Sequence, residues 1–235
     1  MVSLLSLTRR LAKLHCLSES PSLPGLNEKV QALRRQPWPS LPLNSKFVVF
    51  DTETTGLSCK KGDEIISLGA VKLEDGEITE HFHHMVDPKR NIPAKISQIT
   101  GITNEMAADC PDILEVLDRF LEFQGCFPLI AHNASFDLGF INLKLRQYCG
   151  IRLSIPVMDT FLLSQLLFPS AECHSLDCLA GSYDVPITDR HTALGDAIIT
   201  ARIFAKMVQD LKARGVTTTL ELQRLLHHRR LVPSL

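Results

Sequence analysis

The sequence predicts an α/β fold in which a mixed β-sheet is flanked by helices. Three strand-like apolar runs come first, in residues 47–86, and helical segments then alternate with short apolar runs as far as residue 214. This order is typical of a sheet that begins as an antiparallel meander and continues with parallel strands. Hydrophobic residues make up 45% and charged residues 22% of the 235 residues, which is ordinary for a protein with a sizeable core.

Net charge and cysteine content limit the classes of function. The formal net charge is −1, so any polyanion would have to bind at a local site or through a bound metal. The seven cysteines include no Cys-x-x-Cys pair, which favours reduced thiols in a cytoplasmic protein over a disulfide framework. No apolar run approaches the roughly 18 residues of a membrane span, so we expect no membrane partner.

Residues 1–44 are predicted to form an N-terminal helical extension. Leucines spaced three and four residues apart predict a short amphipathic helix over residues 3–15. Packing on the body of the same protein is favoured over docking to a partner. A loop rich in Ser, Pro and Gly follows, and a second short helix is predicted at about residues 27–35.

The first predicted strand ends in two acidic residues. Phe47–Phe50 is an apolar, β-prone run, and Asp51 and Glu53 follow it. Residues i and i+2 of a strand point the same way, so these two carboxylates share a face, with Cα atoms about 6.5–7 Å apart. A common cation would relieve their mutual repulsion. Taken alone, however, such a pair is more often a polar strand end.

Two further strands complete the predicted meander. They cover residues 64–73 and 78–86 and are joined by Asp75-Gly76, a strong hairpin signal. The third strand carries three histidines, His81, His83 and His84. We interpret them as part of a solvated face, because two histidines on one side without a third ligand make a weak zinc site.

The remainder of the chain is predicted to be mainly helical. Short helical pieces and turns occupy residues 87–112, and short strands lie at 128–131 and 157–158. Longer helices are predicted at about residues 112–123, 135–149, 160–167, 175–181 and 192–214. We therefore divide the chain into the extension 1–44, a main domain 45–214 and a C-terminal helical tail 215–235.

Two more motifs place acidic residues at helix starts. Asp137 ends the sequence His-Asn-Ala-Ser-Phe-Asp and falls in the first turn of its helix, where the dipole alone stabilises a carboxylate by ~0.3–1 kcal/mol. Asp196 lies beside the inward face of the last long helix, and carboxylates near a core are rare unless they are paired or bind a metal. His191 precedes that helix, where a lone histidine is more often a cap or a surface residue.

Together the motifs indicate a metal site. The four carboxylates stand at strand ends or helix starts, which converge on one edge of a sheet covered by helices. Hard oxygen ligands without cysteine predict Mg²⁺ or Mn²⁺. Two such ions about 3.5–4 Å apart are the usual clamp for in-line attack on a phosphodiester.

The segments 50–56, 132–137 and 191–197 resemble the three motifs of the DEDDh 3′–5′ exonucleases, particularly the proofreading (epsilon) subunit of bacterial DNA polymerase III and its stand-alone homologues. The resemblance covers about residues 45–212 and implies a ribonuclease-H-like fold, which makes residues 45–214 an exonuclease domain. Thr100 stands where the family often has histidine, a departure that bears on substrate contacts.

The resemblance implies a role for each motif residue. Asp51 would bridge two Mg²⁺ or Mn²⁺ ions, Glu53 and Asp196 would hold the nucleophile-side ion, and Asp137 would hold the second. His191 would be the general base for the attacking water. The implied contacts to the terminal nucleotide are Thr52, Leu57, His132 and Asn133. Asp159 matches a recurrent family residue, but a helix N-cap explains it equally well, so we do not count it as catalytic.

The expected function is therefore metal-dependent removal of nucleoside monophosphates from a single-stranded 3′ end, with DNA favoured over RNA. A DNA polymerase or a repair protein is the expected protein partner. One alternative is RNA 3′-end trimming or oligoribonucleotide degradation, because the choice depends on how the pocket treats the 2′-OH. A non-catalytic polymerase accessory protein is the other alternative, and the presence of all five motif residues argues against it.

Overall fold

The computed structural model describes residues 24–38 and 40–231, which fold around a five-stranded mixed sheet of order β3-β2-β1-β4-β5. Its strands are β1 (Phe47–Thr54), β2 (Ile65–Glu74), β3 (Glu77–Met85), β4 (Leu129–Ala131) and β5 (Val157–Asp159). The first three form an antiparallel meander, and β4 and β5 run parallel to β1. The predicted fold class is confirmed.

Helices cover both faces of the sheet. They are α1 (Pro24–Arg35), α2 (Ala94–Thr100), α3 (Asn104–Ala107), α4 (Ile113–Gln124), α5 (Ala134–Cys149), α6 (Thr160–Leu167), α7 (Leu176–Ser182), α8 (Ala193–Ala213) and α9 (Thr219–Leu231). The predicted helix at residues 3–15 lies outside the described residues. In the described part of the chain, every helix is too short or too polar to span a bilayer.

The β2–β3 hairpin forms at the predicted position. Asp75 and Gly76 have φ angles of 52° and 85°, and positive φ at both central residues is the requirement of the tight turn that Asp-Gly favours. On β3, His81 and His83 are exposed, and His83 shares a hydrogen bond of 3.0 Å with the Ser67 hydroxyl.

The central strand β1 is buried on both faces. Phe47 contacts Phe204 of α8 with ring centroids 5.7 Å apart, while Phe50 contacts Phe120 of α4 at 5.6 Å. A continuous apolar run is typical of a strand covered on both sides, which explains why Phe47–Phe50 shows no polar alternation. The two faces of the sheet thus have separate apolar cores.

The described parts of both terminal segments, residues 24–38 and 40–44 and residues 215–231, pack on the body of the protein. Helix α1 buries Leu26 and Val30 in the same core as Phe50. Near the other end, the amide of Leu43 donates to the carbonyl of Thr217 at 2.9 Å, and Leu222 of α9 is buried beside the α8 core. The boundaries at residues 44 and 214 remain sequence predictions.

The prediction of reduced cysteines is wrong for one pair. Cys173 and Cys178 form a disulfide with Cα atoms 6.1 Å apart. Ser175 caps α7 by accepting a hydrogen bond from the Cys178 amide, and this turn folds Cys173 back over the helix start. Two cysteines five residues apart come close enough to bond only because of that turn, so their spacing in the sequence did not reveal the disulfide. The remaining described cysteines are free thiols: Cys59, Cys110, Cys126 and Cys149.

Candidate active site

Strand β1 presents two of the predicted ligands at its carboxyl end. Asp51 pairs with Gly69 of β2 and Glu53 with Ser67, and both carboxylates are partly exposed. The intervening Thr52 is buried on the opposite side of the strand. The i, i+2 geometry predicted from the sequence therefore places the two acids together on one face.

Gly69 allows the start of α8 to lie directly on the sheet beside Asp51. A Cβ at Gly69 would stand 2.3 Å from the Ala193 carbonyl carbon and from the Leu194 nitrogen. This close approach carries Asp196, in the first turn of α8, to the end of β1. One carboxylate oxygen from each of Asp51, Glu53 and Asp196 then lies within 4.8 Å of the other two.

A tight turn precedes α8 and carries His191. Asp189 and His191 adopt φ angles of 51° and 62°, and Thr192 caps the helix by accepting from the Gly195 amide at 3.1 Å. A Cβ at Gly195 would stand 2.1 Å from the Asp189 carbonyl oxygen, so the turn can fold back on the helix only over a glycine. The His191 side chain is exposed, and its Nδ1 lies 3.4 Å from Nη1 of Arg190.

Asp137 lies on the other side of the β1 end. Its side chain is 2% exposed, and its Oδ1 accepts hydrogen bonds from the Thr52 amide at 3.0 Å and the Thr52 hydroxyl at 2.6 Å. Its charge still acts on Asp51, but Asp137 does not belong to the compact group of three carboxylates. The structure thus brings three predicted ligands together and places the fourth next to them.

Asp159 caps one helix and also fixes the start of another. It accepts from the Phe161 amide at 2.9 Å, which is the predicted N-cap of α6. It also accepts from the amides of Asn133 and Ala134 at 3.0 and 3.1 Å. Asn133 has the left-handed φ of 58°, and these two hydrogen bonds hold that conformation at the start of α5. The sequence did not reveal this second role because it joins residues 26 positions apart.

The predicted substrate contacts differ in what they offer. Leu57 is 87% exposed, so its apolar side chain lies almost entirely in solvent. His132 is partly buried, with Nδ1 3.0 Å from the Thr160 hydroxyl oxygen, and burial lowers its pKa to about 4, assisted by the charge of Arg190. His132 is therefore neutral at physiological pH. The Thr52 side chain and the Asn133 amide are already engaged, by Asp137 and Asp159.

The carboxylates raise one another's pKa. Burial, followed by the charges of Asp137, Asp196 and Glu53, raises the pKa of Asp51 well above its usual value. Burial and the charge of Asp196 raise the pKa of Glu53 to about 7. Burial likewise raises the pKa of Asp137 to about 7, against the Thr52 hydrogen bonds that lower it. At neutral pH this group needs protons or cations to be stable.

Arg190 is a part of the site that the sequence reasoning missed. Its guanidinium forms an ion pair with Asp196 Oδ2 and a second ion pair, at 2.7 Å, with Asp177 of α7. Asp177 lies in the first turn of α7, within the loop that the Cys173–Cys178 disulfide closes. Arg190 stands immediately before the histidine of the third motif, and this position was the only indication in the sequence. The direction in which its side chain points depends on the geometry of the turn, which the sequence does not give.

The donor set suits a hard divalent cation. Three carboxylate oxygens converge, and no cysteine or histidine belongs to that group of described residues. Asp196 Oδ1 is buried without a hydrogen-bond partner, which is costly unless a cation or water completes it. Mg²⁺ and Mn²⁺ take such oxygen ligands, so the residues present fit the predicted metals.

Comparison with known proteins agrees with this geometry. A family model described as "Exonuclease" matches residues 48–204. A DNA polymerase III subunit epsilon-like protein of Rhodobacter capsulatus is 47% identical over 176 residues, which are 73% of this chain and 25% of that protein. The chain thus spans about a quarter of that relative's length.

Two solved structures share the fold. Exonuclease X in complex with 5′-overhanging duplex DNA superposes with a TM-score of 0.55 at 28% identity, covering 69% of this chain and 91% of that one. The nuclease domain of 3′hExo, a DEDDh family member bound to rAMP, gives 0.60 at 20% identity, covering 71% and 93%. The resemblance predicted from the three motifs is confirmed.

Proposed function

The chain belongs to the exonuclease family, and on that premise we propose that it is a metal-dependent 3′–5′ exonuclease that hydrolyses DNA from the 3′ end. The observation that carries the proposal is the convergence of Asp51, Glu53 and Asp196 oxygens within 4.8 Å, beside an exposed histidine. All five motif positions are present, which favours catalysis over a non-catalytic accessory role.

We assign the cation ligands as the motifs imply. Asp51 would be shared by two Mg²⁺ or Mn²⁺ ions, Glu53 and Asp196 would hold the ion on the nucleophile side, and Asp137 would hold the other. Bound divalent ions would polarise the phosphodiester and acidify the attacking water. The Thr52 hydrogen bonds orient Asp137 toward this task, since they fix one of its two oxygens.

His191 acts in the proposal as the general base. It accepts the proton of a water whose oxygen forms a new bond to phosphorus, while the bond from phosphorus to the 3′ oxygen breaks. The products are a nucleoside 5′-monophosphate and a strand shortened by one residue. The exposed turn before α8 suits this role, because the imidazole can approach a phosphate bound at the carboxylates.

The terminal nucleotide is proposed to contact Leu57 and His132, with the Thr52 and Asn133 backbones nearby. Leu57 offers an apolar surface for the base or sugar. Neutral His132 offers hydrogen bonding without adding a charge. DNA is favoured because the epsilon-like relative is named for a DNA polymerase and Exonuclease X was solved with DNA. RNA trimming is the second candidate and differs only in the treatment of the 2′-OH.

The name of the epsilon-like relative also supports the expected protein partner, a DNA polymerase or a repair protein. A cytoplasmic location is part of the same proposal. It is supported by the four free thiols among the described cysteines, although the Cys173–Cys178 disulfide weakens the redox argument.

Digestion of matched single-stranded DNA and RNA oligonucleotides, labelled at the 5′ end, tests the proposal. The reactions contain Mg²⁺, Mn²⁺ or EDTA, and Asp51→Asn serves as the matched inactive variant. A ladder that shortens from the 3′ end, is lost in EDTA and is absent with Asp51→Asn supports the proposal, and faster digestion of DNA supports the substrate choice. No cleavage with either metal would contradict it, and faster digestion of RNA would favour the second candidate.

A further inference from the structure

Arg190 places a positive charge inside the acidic site. Its Nη1 pairs with Oδ2 of Asp196, and its Nε and Nη2 lie 2.7 and 3.4 Å from the two oxygens of Asp177. The Arg190 side chain is only 24% exposed, so the turn before α8 directs it inward. One guanidinium thus joins a carboxylate of the proposed metal site to a carboxylate outside it.

The two partners of Arg190 differ in environment. The Asp196 side chain is 7% exposed, whereas that of Asp177 is 53% exposed. The inner partner therefore loses more hydration and depends more on a cation than the outer partner does. Asp196 Oδ1 has no partner, so Arg190 satisfies only half of that carboxylate.

We propose that Arg190 is a built-in counter-cation of the site, which neutralises Asp196 in the metal-free protein, moves off it when a divalent cation binds, and is then retained by Asp177. The inference rests on the proposed function only in requiring that the carboxylates bind a divalent cation. A guanidinium and a divalent ion beside the same carboxylate repel each other, so the two compete for Asp196. Asp177 limits the cost of this displacement, because it keeps the arginine paired.

A purely structural ion pair makes a different prediction. If the bridge only held α7 against α8, removing either Arg190 or Asp177 would change metal affinity in the same direction. Competition requires opposite directions. Loss of Arg190 removes the competitor, whereas loss of Asp177 leaves the arginine with Asp196 as its remaining carboxylate partner.

Calorimetric Mn²⁺ titration and metal-free thermal melting of the full chain distinguish these cases. The variants are Arg190→Gln and Asp177→Asn. Arg202→Gln is the control, because it makes the same charge change at an exposed position on α8. We expect Arg190→Gln to tighten Mn²⁺ binding about fivefold or more, the lower end of typical coupling between sites, and to melt earlier than the unchanged protein without metal. Asp177→Asn should weaken Mn²⁺ binding, and Arg202→Gln should leave it unchanged.

Equal or weaker Mn²⁺ binding by Arg190→Gln would overturn the inference, as would tighter binding by Asp177→Asn. Should Arg190→Gln fail to fold, unchanged or tighter Mn²⁺ binding by Asp177→Asn would still overturn the inference, because that variant keeps the positive charge of Arg190. Absence of Mn²⁺ binding by the unchanged protein would instead refute the proposed function, and this inference with it.

Discussion

Gly69 lies outside the three motifs, yet its substitution should dismantle the site. In Gly69→Ala the new methyl group would lie 2.3 Å from two backbone atoms of α8, at Ala193 and Leu194, and 2.6 Å from the Ala193 carbonyl oxygen. Carbon atoms pack at about 3.5–4.0 Å, so the start of α8 must move by more than about 1 Å. Neither neighbouring atom belongs to a flexible side chain that could rotate away.

In the unchanged protein, one carboxylate oxygen of Asp196 lies within 4.8 Å of an oxygen of Asp51 and of Glu53. The displacement of α8 carries Asp196 away from both. Metal sites tolerate about 0.2 Å in ligand distance, and a 1 Å misplacement of reacting groups costs on the order of 100-fold in rate. Overpacking of this kind also costs about 1–3 kcal/mol of stability. We expect Gly69→Ala to fold, to bind Mn²⁺ at least tenfold more weakly and to lose roughly 99% of its turnover.

The matched control is Gly181→Ala in α7, where a Cβ would meet no atom within 4 Å. Alanine at an open helical position stabilises by up to about 1 kcal/mol, so this variant should keep both Mn²⁺ affinity and turnover. Calorimetry and oligonucleotide digestion measure the two quantities. Normal Mn²⁺ affinity in a folded Gly69→Ala would refute the claim that the contact of α8 with β2 positions Asp196.

Three further predictions concern charge at the site. Asp51→Asn should abolish nuclease activity yet raise the metal-free melting temperature, because it relieves repulsion among the acids. The expected rise is roughly 2–4 °C, the shift that about 1 kcal/mol produces in a domain of this size. An unchanged or lower melting temperature would contradict the repulsion. His191→Ala should lower turnover by roughly 10²–10⁴ and leave Mn²⁺ affinity intact, whereas loss of Mn²⁺ binding in calorimetry would make His191 a ligand. Without metal, the melting temperature should fall as pH rises from about 4.5 to above 7, because the folded state retains protons on Glu53, with its pKa raised to about 7, that the unfolded chain has released. Glu53→Gln should make that profile shallower, although the raised pKa values of Asp51 and Asp137 keep part of the slope, and an equally steep profile in the variant would assign the whole effect to those other groups.

Local patterns in the sequence were sufficient to predict the sheet and most of the acidic residues that converge at the end of β1. The alternation of β1 fixes Asp51 and Glu53 on one face, a helix that starts directly after β4 places Asp137 near the same edge, and Asp196 lies in the first turn of α8. These inferences succeed because strand and helix periodicity depend on neighbouring residues alone. The Asp75-Gly76 hairpin was predictable for the same reason.

Features that join distant segments were not predictable. Gly69 matters only because α8, more than a hundred residues later, packs on β2 at that point. Arg190 reaches Asp196 because two residues with positive φ flank it, and neither Asp189 nor His191 is of a type that demands this conformation. The hydrogen bonds of Asp159 to the start of α5 likewise depend on the pairing of β4 with β5.

The most direct test of the proposed cation site is the stoichiometry of Mn²⁺ binding in the presence of a nucleoside monophosphate. If Asp51 bridges two ions and Asp137 holds one of them, the unchanged protein should bind two Mn²⁺ per chain, Asp137→Asn one, and Asp51→Asn none. Saturation of Asp51→Asn with two Mn²⁺ ions, or no binding by the unchanged protein, would contradict the assignment of these carboxylates as the metal site of an exonuclease.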